Sequence, residues 1–226
     1  MRCWRARPRA TRPECTPCWR CRSLLSTGVS TALTREVRSI SIANQSRFRI
    51  KRAFWSFFER TFRVSTLDGQ LVMLVKHPIM RFREEFTVYA DEEQTVPLLL
   101  VKSRQIIAIN FTFDIVDIAS GQVLGSVQKR GVRSLIRDAF LILDPAGAQI
   151  GTMEETGASI LRRFLPILTS RHSVVLRGVE AARMRQIFRF FIKEFEIEIA
   201  SGVSEPRFVL ACALLALMAE ARREDN

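Results

Sequence analysis

Twelve consecutive residues, Phe208 to Ala219 in "RFVLACALLALMAEARREDN", carry no polar side chain, so a helix built from them is apolar on every face. Such a helix must be buried, either in a bilayer or in the protein's own interior. The run is about 18 Å long at ~1.5 Å per residue, whereas a bilayer core is ~30 Å thick and asks for about 20 apolar residues. Glu205 and Arg207 precede it, and Glu220, Arg222 and Arg223 follow at once. Ser204 reads as the helix cap, with Glu205 and Pro206 in the first turn. The expectation is a buried helix over about 205–222, with Phe208, Leu210, Leu214, Leu215, Leu217 and Met218 as its packing residues.

What surrounds it is read from the preceding chain. Hairpin signals recur in "TFRVSTLDGQLVMLVKH", "FTVYADEEQTVPLLLVK", "FTFDIVDIASGQVLGSVQKR" and "AFLILDPAGAQIGTMEE". Their turn centres fall near residues 69, 95, 121 and 147, about 26 apart, and Asp-Gly and Asp-Pro-x-Gly supply the backbone angles that tight turns need. "RFRIKRAFW" reads as an earlier strand, although Arg52 shares a face with Phe48 and Ile50. "HSVVLRG" and "RFFIKEFEIEIA" extend the meander, with Phe195, Ile197 and Ile199 on a buried face and Glu194, Glu196 and Glu198 on a wet one. "TGASILRRFLP" reads as a short helical interruption. A meander of ten to twelve strands escapes its edge problem by closing into a barrel, and a wide barrel needs an apolar filling. The fold expected is all-β with one helix, a closed antiparallel barrel of about 12 strands around the C-terminal helix.

The 226 residues carry a formal charge of +12, but residues 1–52 hold 13 Lys/Arg against Glu14 and Glu36. The remainder is close to neutral, so the basic pI is no argument for nucleic acid. Residues 1–43 read as a disordered Arg/Cys-rich leader, a targeting segment or a spurious start, and 44–226 as the barrel domain. Cys3, Cys15, Cys18 and Cys21 lie in the leader and Cys212 in the helix. "CTPCWRC" lacks the second ligand pair of a structural zinc site, so no metal and no cofactor is expected.

No nucleophile motif, phosphate loop or dinucleotide fingerprint is present. Neither His77 nor His172 has a nearby Cys or Ser in a nucleophile setting, and the pairs Glu84–Glu85 and Glu154–Glu155 point to opposite faces of a strand. The chain is therefore expected to be no enzyme. Lys76, Lys102 and Lys129 recur at one phase of the repeat, followed by Arg81, Arg104, Arg130 and Arg133. Equivalent positions of successive hairpins share one end of a barrel, so these residues form a candidate rim for phosphate oxygens. Ordinary solubilising charge at strand ends is the competing reading.

The segments "DGQLV", "REEFTVYADEE", "PLLLVKSRQII", "TFDIVDIASGQVLGSVQKRGVRSLIRDAFLILDPAGAQIGTMEE" and "ILRRFLP" resemble bacterial LURP-one-related, phospholipid scramblase-like proteins of the tubby-like superfamily. The resemblance spans about residues 44–222 and implies a twelve-stranded barrel around a central hydrophobic helix. Within that superfamily tubby domains bind phosphoinositides and scramblases are associated with lipid movement. The calcium segment and membrane helix attributed to scramblases have no counterpart here, so scrambling is not expected. The function expected is a monomeric, cytoplasmic binding module, peripheral at the membrane, that takes anionic phospholipid or another phosphorylated ligand. The alternative is a soluble protein-interaction scaffold.

Overall fold

The computed structural model describes Ile42 and residues 45–53, 59–78, 85–104, 112–129, 139–155, 170–189 and 192–223. Twelve strands run in chain order: β1 (Arg47–Ala53), β2 (Glu59–Thr66), β3 (Leu71–Pro78), β4 (Glu85–Tyr89), β5 (Pro97–Ser103), β6 (Thr112–Asp117), β7 (Val123–Lys129), β8 (Ala139–Leu143), β9 (Gln149–Glu155), β10 (Arg171–Leu176), β11 (Val179–Ile187) and β12 (Ile192–Ile199). Each pairs antiparallel with its chain neighbours, and β1 pairs with β12 from Arg47↔Glu198 to Ala53↔Ile192, closing the barrel. Closure leaves no free edge strand among the described residues.

The four expected turns are present. Gly69, Gln94, Gly121 and Gly147 all take positive φ, between 59° and 90°, a conformation that costs Gly nothing. β11 is the strand the sequence does not announce. Its "VEAARMRQI" has few β-branched residues, and it is held by pairing to β10 and β12. An Arg177–Gly178 turn with φ of 50° and 79° joins it to β10, the type I′ geometry that suits a two-residue hairpin.

Helix α1 (Pro206–Arg223) fills the lumen. Every side chain from Phe208 to Leu217 is buried, and Ala221 is too. The opening alternatives are thus decided in favour of the protein interior, and among the described residues no helix is long and apolar enough to cross a membrane. The cap lies one residue later than expected. The Glu205 carbonyl accepts from Phe208 N–H and Val209 N–H, so Glu205 is the cap and Pro206, which has no N–H to satisfy, takes the first helical position.

Two further expectations are corrected. Ile42, assigned to the leader, is fully buried in the main core cluster, so the packed domain reaches back past Asn44. Glu194, assigned to a wet face, is buried: Arg49 Nε lies 2.7 Å and Arg189 Nε 3.5 Å from its carboxylate and cover it. Phe195, Ile197 and Ile199 are buried as expected. The helical turn expected in "TGASILRRFLP", with Arg162 and Arg163, lies outside the described residues.

One close approach fixes how the helix sits. Gly125 faces inward on β7, where a Cβ would stand 2.6 Å from Phe208 Cζ and from the Leu143 carbonyl oxygen. The first turn of α1 therefore lies against bare backbone. Beside it, Arg207 Nη1 reaches Asp117 Oδ1 at 3.4 Å and ties the helix start to the β6–β7 turn.

Candidate functional site

Strand direction sorts the connections into two kinds. By strand direction the turns after β2, β4, β6, β8 and β10 stand at the end where α1 begins, and β3, β5, β7, β9 and β11 finish at the other, the connector end. Binding groups gather on loops held by a rigid scaffold, so this connector end is the place to examine.

The rim expected from the repeat lies here. β3, β5 and β7 run in the same direction, so Lys76, Lys102 and Lys129, each near a strand's C-terminal end, stand at one end of the barrel. Lys76 follows inward-facing Val75 and so points outward, while Lys129, two residues past buried Val127, shares the inward face. Lys102 stands opposite Glu85 and Asp114 on the outer face and pairs with Glu85 at 3.5 Å. Arg104 Nε donates to Asp114 Oδ2 at 2.7 Å, and Ser126 Oγ donates to Asp114 Oδ1 at 2.6 Å. Two of the four described cations are thus already bonded to carboxylates, and Lys76 lies within electrostatic reach of Glu92. Arg81, Arg130 and Arg133 lie outside the described residues.

A second polar group at this end lies inside the wall. Arg52, Glu155, His172 and Glu220 are all buried. Arg52 shares the inward face with Phe48 and Ile50, and its strand partners are Phe62 and Lys193. His172 pairs with Glu155 across β10 and β9, and its Nε2 lies 3.4 Å from Glu220 Oε2 in the last turns of α1. Burial pulls the Arg52 guanidinium below its ordinary pKa, and the Glu220 carboxylate pushes it partly back. Glu220 therefore offers the helix end a cation on β1 and an imidazole on β10. Charges removed from water need such partners. The sequence held a signal for this group: Arg52 breaks an otherwise apolar face at the strand's last turn toward the rim, and Glu155 does the same after Met153.

Among the described residues no set of three or more His, Cys, Asp or Glu stands close enough to hold a metal ion. Cys212 is fully enclosed, and burial pushes its thiol far above the ordinary cysteine range, which suppresses the nucleophilic thiolate.

No family model matches the chain. No curated protein matches it either. A solved X-ray structure of an Arabidopsis thaliana protein is similar, with 12% identity and a TM-score of 0.43, over 77% of this chain and 91% of that one.

Proposed function

We propose that the barrel is a non-enzymatic, cytoplasmic binding module that docks peripherally on anionic phospholipid through its connector end. The observation that carries this reading is the placement of Lys76, Lys102 and Lys129 near the ends of three co-directional strands. Cations set around one rim hold phosphate oxygens without any requirement for a deep cavity. The closed wall around an apolar helix is in keeping with the LURP-one-related, scramblase-like proteins that the sequence resembles. Flotation with phosphatidylserine-containing and neutral liposomes at low and high salt tests the reading. Retention on the anionic vesicles alone, lost in salt and lost in Lys76→Glu/Lys129→Glu, is the result expected.

A soluble protein-binding scaffold is the second reading. It is favoured by the Lys102–Glu85 and Arg104–Asp114 pairs, which reduce the charge left for a headgroup. Absence of flotation under every condition selects it.

A further inference from the structure

Among the described residues four large apolar side chains are exposed. Leu67 in a tight turn and Val179 at the start of β11 stand singly at the end where α1 begins, and scattered residues of that kind are ordinary. Phe188, 46% exposed, and Ile192, 42% exposed, instead flank one join, between β11 and β12, at the connector end.

Their surroundings are cationic. Ile192 pairs with Ala53, and Lys51, two residues back on β1, is exposed with no carboxylate bonded to it among the described residues. Arg189 is largely exposed and shares the single carboxylate of Glu194 with Arg49. Lys51 and Arg49 stand in register with Glu194 and Glu196, and Arg185 bonds to Glu196, so four cations face two carboxylates here. Along the strand Lys51 is set back about 7 Å from the Ile192 level and Arg49 about 13 Å, at ~3.3 Å per residue. An interfacial element buries its apolar face ~5–10 Å into the headgroup–acyl boundary. The Lys51 offset falls within that depth, so the Ile192 methyls reach the acyl level while the Lys51 ammonium remains among the phosphates.

We infer that Phe188 and Ile192 form an insertion tip that anchors the connector end in the acyl boundary of an anionic lipid surface. This rests on the lipid-docking reading above and adds an apolar, salt-resistant component to the rim's electrostatic one. Rim and tip share one end of the barrel, so end-on docking engages both.

The experiment uses the full chain and vesicles of phosphatidylcholine and phosphatidylserine at 3:1. In Ile192→Trp, added emission is quenched by lipids brominated on the acyl chain, relative to the parent with its three native tryptophans. In Phe188→Ser/Ile192→Ser, the salt-resistant fraction disappears and partitioning weakens by about tenfold, the scale for removing two half-exposed apolar groups from an interface. Both positions are at the surface, so the thermal transition stays at the parent value. Added emission that is unquenched, with serine variants floating like the parent while Lys76→Glu/Lys129→Glu does not, overturns the tip and leaves the proposed function standing. A parent that binds no vesicle overturns both. A parent dimer that the serines dissolve, with flotation unchanged, overturns the tip in favour of self-association.

Discussion

Arg63 on β2 reaches across β3 to Glu92 in the β4–β5 turn, with Nε and Nη2 donating to the two carboxylate oxygens at 2.7 and 3.1 Å. The two side chains span the thinnest part of the wall. β3 and β4 share the single register pair Leu74↔Tyr89 among the described residues, whereas β2 and β3 share seven. The forked pair is thus a strap over a seam that backbone pairing alone holds weakly.

Because both partners are nearly half exposed, the strap contributes little to global stability, about 0.5–1 kcal/mol for Arg63→Ala. Its effect is local. Amide exchange in that variant accelerates at Glu85–Tyr89 and Leu71–Lys76 while β10–β12 keep parent rates, and the contrast fades at high salt. Uniform acceleration around the barrel would show that the strap has no special relation to the seam.

Gly125→Ala places a methyl in contact distance of Phe208 and the Leu143 carbonyl. The expected cost is about 2–3 kcal/mol, read from urea unfolding, because neither the wall nor the helix has room to retreat. Phe208→Leu added to that variant recovers part of the loss, whereas Phe208→Leu alone is destabilising. Additive losses in the double variant would deny the contact.

Glu220→Ala leaves Arg52 and His172 buried without the carboxylate that faces them. The loss expected is about 1–3 kcal/mol, since buried Arg52 and His172 lose one of the carboxylates near them. Arg52→Met together with Glu220→Leu is much milder than the sum of its parts, as the thermal transitions of the four proteins show.

Cys212 reports whether the lumen is closed. In a chain whose four leader cysteines are serine, a soluble disulfide reagent finds no reactive thiol until denaturant releases α1. The labelling rate then follows helix release, and Gly125→Ala raises it before any change in far-UV circular dichroism.

Acid weakens the barrel through a definable set of carboxyls. Hydrogen bonds from Arg63, Arg183 and Arg185 hold Glu92, Glu180 and Glu196 below their ordinary pKa values. Burial alone pushes Asp91 up, but hydrogen bonds from Thr95 Oγ1 and the N–H groups of Thr95 and Val96 together bring it down. A folded pKa below the unfolded one means the stabilisation is complete above the unfolded value and is lost as pH falls through the folded one. Urea midpoints are therefore flat from neutrality to about pH 5.5 and fall below about pH 4.5, the unfolded carboxyl range. Asp91→Asn flattens the fall.

Strand alternation and turn residues are local properties, so the hairpins from β2 to β9 and the enclosed helix were legible from the chain. The β1–β12 seam was expected only through the logic of closure, since no residue of either strand names its partner. Glu194 misled because alternation assigns a face and says nothing of what covers it, here the side chains of Arg49 and Arg189. The equivalence of Lys76, Lys102 and Lys129 was visible as a period, and so was the end of the barrel they share. The neutralisation of Lys102 was not, because Glu85 and Asp114 become its neighbours only through strand register. The Phe188–Ile192 pair escaped notice for the opposite reason: apolar residues beside a strand read as core until exposure is known.

The helix that fills the lumen follows all twelve strands in the chain. A ribosome therefore delivers the complete wall before any of the filling, and a chain halted before Pro206 has inward faces with nothing to close upon. During that interval the apolar residues of twelve strands depend on chaperones or on the speed of elongation, and a premature stop there yields an aggregation-prone shell, not a smaller working domain.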